Sequence, residues 1–289
     1  MHPDRATAEA VTAEVLDEVA RLEQVFSLLR PESEISRLNR EGSLADPSHE
    51  LVLLVQRSLH LARLTDGAFD ITVQPLWQLY ADHFARAPTD RDGPPQAAID
   101  AALGRTGWRH VAVAAGRISF DQPGMAITLN GVAQGYITDR ITGLLARRGL
   151  SRALVSLGEH RALGAGPYAT TEAPGWHIGL RDPRHARHTI ASIGLENRAL
   201  ATSGGYGTTF SADGRHHHLF NPATGRSAHS WASASVLAAT AAEADGWSTA
   251  LAVLPESLGL ALLDAGRGAA LEGAVLVRHD GRIVRIGHT

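Results

Sequence analysis

Asp245 and Thr249 stand four residues apart in the stretch Glu243-Ala244-Asp245-Gly246-Trp247-Ser248-Thr249-Ala250. At helical spacing, that carboxylate and hydroxyl stack on one face. Two hard oxygen donors suit Mg²⁺ better than a softer metal. An acidic side chain in a first helical turn would equally complement the helix dipole. Gly246 inside the helix costs ~1 kcal/mol relative to alanine, which points to close approach of another group. A second candidate is the run Thr128-Leu129-Asn130-Gly131-Val132-Ala133-Gln134-Gly135-Tyr136. It joins an apolar strand pattern (Met125 to Leu129) to a helical pattern carrying Ile137, Ile141, Leu144 and Leu145 on one side. Its glycines let backbone approach another group, and free N–H groups at a helix start favour an anion such as phosphate. A tight strand-to-helix turn without ligand is the other reading.

His216-His217-His218 lies in a segment read as a strand, where alternation places His216 and His218 on one face. Two imidazoles could bind Zn²⁺, although no third ligand at a recognisable spacing accompanies them. A single histidine titrating near neutral pH could act as a general base. Ser203-Gly204-Gly205-Tyr206 sets a hydroxyl among glycines, without the Gly-x-Ser-x-Gly of an α/β-hydrolase. Phe69, in Gly67-Ala68-Phe69-Asp70, could stack on a planar ring or fill a core. Ser33 to Asn39 could reach a ligand or cap a short helix. His218 to Gly225 has turn chemistry.

The elements that carry these residues follow from periodicity. Helices are expected at about 7–29, ended by Pro31, and at 48–64, capped by Asp46 or Ser48 and stopped by Gly67. Further helices are expected at 241–253, ended by Pro255, and at 257–263. The span 85–96 reads as a surface loop. Hairpins are expected for 110–113 with 117–120 and for 274–278 with 282–286. Single strands are expected at 153–157, 176–180, 189–195, 198–202 and 233–238, with two more around the Asp213-Gly214 turn. Helices and strands mix without a regular βαβ beat, which predicts an α+β fold in one compact domain spanning 1–289.

The chain has 289 residues, 44% hydrophobic and 20% charged, a globular composition. A net charge of −3 argues against a nucleic-acid partner. The absence of cysteine removes disulfides, thiolate metal sites and cysteine nucleophiles. No segment approaches the length of a membrane span. No signal peptide is visible, so the expected compartment is the cytoplasm as written, or the periplasm if a leader has been trimmed.

Taken in order, PESEISRLN (31–39), DGAFDITVQPL (66–76), LNGVAQGY (129–136), ATSGGY (201–206), HLFNPATG (218–225) and EADGWSTAL (243–251) resemble the ApbE family of FAD:protein FMN transferases. The resemblance spans about residues 20–255. It implies a mainly antiparallel α+β domain that splits FAD at its pyrophosphate. FMN passes to a threonine of a target protein and AMP is released. It implies Mg²⁺ held by the Gly131 carbonyl, Asp245 and Thr249, and FAD contacts from Asn39, Ala68, Phe69, Asp70, Thr128 and Gln134. His218 corresponds to the family's histidine ahead of the Asp-Pro-x-Thr-Gly turn. Departures are Thr128 for Asp, Asn130 for a small residue, Gln134 for Lys or Glu, Asn221 for Asp, and Gly158-Glu159-His160 for Gly-Gly-Asp. They leave open a non-catalytic FAD-binding protein, or an FAD pyrophosphatase in which water replaces the threonine.

Overall fold

The computed structural model describes residues 4–167, 175–266, 268 and 270–287. Helix α1 (Arg5–Phe26) starts at Asp4, whose carboxylate accepts from the Ala6 and Thr7 N–H groups. It stops at Phe26, short of the expected Leu29. Ser27 turns extended, and its carbonyl accepts from the Arg30 N–H and the Ser33 hydroxyl. The polar stretch after Pro31 forms a short helix, α2 (Glu34–Glu41), capped by Ser33 and ended by Gly42 at φ 72°. Strand β1 (Ser43–Ala45) leads to α3 (His49–Leu64), whose cap is Ser48. Two helices follow that periodicity did not reveal, α4 (Gln74–Arg86) and α5 (Gln96–Leu103), so the loop between them covers 87–95. Strands β2 (Val111–Ala114) and β3 (Arg117–Phe120) form the expected hairpin, and β1 joins β3 on its other edge.

Helix α6 (Ala133–Arg147) precedes strands β4 (Ala153–Ser156), β5 (His160–Leu163), β6 (Trp176–Asp182), β7 (His185–Leu195) and β8 (Ala199–Ser203). Short strands β9 (Phe220–Asn221) and β10 (Arg226–Ser227) pair across a turn, and β11 (Ser233–Ala238) leads into α7 (Ala241–Val253). Helix α8 (Glu256–Asp264) and strands β12 (Leu271–Val277) and β13 (Ile283–Gly287) complete the order.

The main sheet runs β13-β12-β11-β8-β5-β4, and every pairing among the described strands is antiparallel. This is the expected α+β class. Alternation gives the sheet two apolar faces. Ala199, Ala201, Ala234, Val236, Ala238, Ala274 and Leu276 face the large core, where α7 packs on β8 and β11. Leu200, Leu237 and Val275 face a second cluster, with the β6–β7 ribbon supplying Ile178, Leu180, Ile193 and Leu195. Alanines predominate on the first face, so α7, itself almost wholly buried, lies close to the strands. A third cluster of Leu76, Tyr80, Phe84, Ile99 and Phe220 ties α4 and α5 to β9.

Three expected strands are absent, one at 125–129 and the pair around Asp213-Gly214. Met125 to Leu129 alternates, with Met125, Ile127 and Leu129 buried, yet its backbone joins no sheet. The Asn39 carboxamide takes the place of a neighbouring strand, donating to the Ile127 carbonyl (2.9 Å) and accepting from the Ile127 N–H (2.7 Å). Around Asp213-Gly214 only an isolated Thr209–His217 bridge forms. The Asp213 carboxylate instead accepts from the Ser211 hydroxyl and the Arg215 N–H, which tightens the turn locally.

Candidate functional site

Helix α7 begins in a capping box: the Thr240 hydroxyl accepts from the Glu243 N–H and donates to its carboxylate. Its start is also capped from α6, where Asp139 accepts from the Ala241 (2.8 Å) and Ala242 (3.0 Å) N–H groups. The cap is returned: Asp245 accepts from the Gly135 N–H in the first turn of α6, at 3.1 Å. The helix start expected to receive a phosphate thus receives a side-chain carboxylate at that position. Gly135 makes the crossing possible, because a Cβ there would sit 2.3 Å from the Ala241 carbonyl oxygen.

One turn further along α7, Thr249 lies under Gly131, where a Cβ would stand 3.1 Å from its Oγ1. Ser203 at the end of β8 lies 2.7 Å from the Ser248 hydroxyl and 3.2 Å from that of Thr249. Gly131, Asp245 and Thr249 therefore share one wall of a cavity of about 650 Å³. The same cavity is lined by Tyr206, Thr208 and His218 and by Ala68, Asp70, Thr128 and Gln134.

The electrostatics of this cavity are one-sided. Glu23, Asp70, Glu159 and Asp245 line it, and among the described residues no arginine does; the chain contains no lysine. Burial, and next the negative charge of Glu159, hold the Asp245 carboxyl well above the usual carboxylate range, against the Gly135 hydrogen bond. Burial pushes the Glu159 carboxyl up to about 7, opposed by a hydrogen bond from the Thr202 backbone. Two buried carboxylates of like charge, a hydroxyl and a bare backbone at Gly131 form an all-oxygen donor set that a hard divalent cation would neutralise. These residues fit Mg²⁺.

The other expected residues are placed as follows. Asn39 does not line the cavity, because its carboxamide is committed to Ile127. Phe69 is buried yet lines the cavity, and its ring edge lies against Gly131. Asp70 reaches the wall, but its oxygens accept from Thr72 N–H (2.8 Å), Thr72 Oγ1 (2.6 Å) and Trp108 N–H (3.0 Å). Burial raises its pKa against those bonds. Gln134 packs over Gly158. Thr128 accepts from the Asn130 N–H, and its own N–H donates to the Ile71 carbonyl.

The three histidines diverge, because no regular strand carries them. His216 reaches the Arg91 carbonyl (3.0 Å) and packs against Tyr80 and Phe84. His217 is buried, and burial, followed by the charges of His229 and His218, lowers its pKa to about 4. His218 alone faces the cavity. Its Nδ1 lies 3.0 Å from the Thr208 carbonyl, which can only accept, so Nδ1 carries the proton and Nε2 is left basic. Burial lowers its pKa and favours the neutral ring. Trp77 lines the cavity without a mark in the sequence reading, and Glu159, Ser203 and Tyr206, noted there without a site role, line it too. Tyr206 is 53% exposed, an aromatic face open at the site.

The profile of the ApbE family matches residues 3–271. An FAD:protein FMN transferase of Salmonella typhimurium is 34% identical over 239 residues, covering 80% of this chain and 67% of that protein. One of Klebsiella pneumoniae is 32% identical, covering 87% and 73%. The crystal structure of the ApbE protein of Thermotoga maritima superposes with a TM-score of 0.83 at 28% identity, covering 96% of this chain and 89% of that one. The flavin transferase ApbE of Vibrio cholerae gives 0.82 at 25% identity, covering 99% and 91%. The ordered motifs, the antiparallel architecture and the extent of these matches agree: the chain belongs to the ApbE family.

Proposed function

We propose that this protein is a Mg²⁺-dependent FAD:protein FMN transferase, working as one domain on FAD and on a protein acceptor whose threonine becomes flavinylated. Family membership supports transferase chemistry on FAD. The observation that carries the metal-dependent reading is the meeting of Gly131, Asp245 and Thr249 on the wall of a cavity that holds carboxylates and no arginine among the described residues. Such a cavity offers a pyrophosphate no guanidinium among the described residues to offset its charge. Mg²⁺ bound there would supply positive charge against the pyrophosphate and the departing AMP.

The chain's own residues do the rest. The α6–α7 crossing holds Asp245 and Thr249 at the glycine turn. Tyr206 and Trp77 offer ring faces for the planar parts of FAD. His218 Nε2 accepts the proton of the incoming threonine hydroxyl. The threonine oxygen then bonds to the FMN phosphorus while the bond from that phosphorus to the AMP oxygen breaks and AMP leaves with the electron pair.

The test is covalent labelling. FAD, Mg²⁺ and an acceptor domain should give a fluorescent acceptor band on a denaturing gel, abolished by EDTA and by Asp245→Ala. Normal labelling by Asp245→Ala would remove the metal assignment. FMN and AMP released without an acceptor would instead make the protein a pyrophosphatase, and FAD held unchanged would make it a binding protein.

A further inference from the structure

The turn from β4 to β5 brings Glu159 into the cavity wall beside β8. Gly158 takes φ 103°, and the Gln134 amide lies against its open side, 2.9 Å from where a Cβ would be. Glu159 is 8% exposed, and the Thr202 backbone donates to it. The arginine nearest in sequence turns away: Arg161 donates to the Asn197 and Ala239 carbonyls and lies 3.5 Å from Asp139. Two carboxyl groups, Glu159 and Asp245, thus share the cavity wall, and among the described residues no arginine lines it. Like charges in such a place are costly unless an external cation joins them.

We propose that Glu159 is a further ligand of the divalent cation, so that this chain holds the ion with two carboxylates and binds it before FAD arrives. The inference rests on the cation site of the proposed function and deepens it. Anionic oxygen ligands raise the affinity of a hard cation, and a second one removes the need for a pyrophosphate to complete the site.

Mn²⁺ is the probe, titrated by electron paramagnetic resonance into EDTA-stripped, FAD-free protein. Wild type should bind it, and Glu159→Gln should weaken binding by about 10- to 100-fold, the range that even outer partners of a metal site command. Glu159→Gln should also lose the rise in melting temperature that Mn²⁺ gives wild type. Should Glu159→Gln not fold, Glu159→Ala takes its place. Unchanged Mn²⁺ affinity in the folded variant overturns the proposal, as does a wild type that binds Mn²⁺ only once FAD is added. If Asp245→Asn abolishes binding while Glu159→Gln does not, the inference about Glu159 fails and the cation site of the proposed function stands.

Discussion

Two parts of the cavity wall are built in different ways. The wall of α7 and the 128–135 turn is made of helix starts that cap one another, Asp139 onto α7 and Asp245 onto α6, over a sheet face rich in alanine. The wall of Tyr206, Thr208 and His218 is irregular chain leaning on an aromatic cluster of Tyr80, Phe84, Phe210 and Phe220. The first wall carries carboxyls whose charge burial disfavours, and the second carries one imidazole, His218, that burial favours as the neutral ring. Close backbone packing fixes donors that must not move. Looser loop packing suits a group that must meet a variable protein partner. Under the proposed function, the division of labour would be cation holding on the first, rigid wall and proton transfer on the second, loop wall.

That division breaks first at His218. His218→Ala should lower the rate of acceptor labelling by about 10²- to 10⁴-fold, while Mn²⁺ affinity and melting temperature stay at wild-type values. A labelling rate near wild type would leave the imidazole a structural partner of Thr208 and nothing more. Next comes Gly135→Ala, which should destabilise by about 3 kcal/mol in denaturant titration, because the new Cβ meets the backbone of Ala241 and Ala242. Gly143→Ala on the same helix meets only the flexible end of Arg147 at 3.4 Å and should stabilise by up to about 1 kcal/mol. Equal effects at the two glycines would mean that the helix crossing does not define the first wall.

The loop wall also has its own pH signature. His217 has a pKa of about 4 in the folded chain, below the ordinary histidine value. The unfolded chain therefore takes up a proton that the native state refuses. The contribution is fully favourable above about pH 6.5 and is lost as pH falls toward 4, by about 3 kcal/mol in total. The raised carboxyls of Glu159 and Asp245 act with the opposite sign as pH rises. The measurement is thus the difference in unfolding free energy between wild type and His217→Gln at pH 7 and pH 5. A difference independent of pH would sink the assignment.

The rigid wall was largely legible in the sequence and the loop wall was not. The bounds of α7 follow from local signals, Thr240 and Glu243 at its start and Pro255 past its end. The Asp245–Thr249 spacing followed with them. Glu159 gave no such signal: one acid between a glycine and a histidine becomes a neighbour of Asp245 only through the β5–β8 pairing and the packing of α7 on β8. The histidine run was misassigned for a related reason. Alternation in sequence implies a shared face only when a neighbouring strand imposes the pleat, and the partners here are the Arg91 and Thr208 carbonyls. The helices α4 and α5 were hidden because their apolar residues point into a small separate cluster and one of them carries a proline, Pro75, in its first turn.

Asn39 gives the smallest effect and tests how the glycine turn is held. The apolar alternation of 125–129 is real, but the group that satisfies its backbone lies 88 residues away in the chain. Asn39→Ala removes both bonds to Ile127 and should cost about 1–2 kcal/mol of stability. Asn39→Asp keeps an acceptor for the Ile127 N–H and sets an oxygen against the Ile127 carbonyl, so it should be at least as destabilising. If the carboxamide holds the turn, both variants lower the melting temperature, and FAD affinity falls through displacement of Thr128 and Gly131. A direct contact with FAD would do the reverse, weakening FAD binding in Asn39→Ala while the melting temperature of the FAD-free protein stays unchanged.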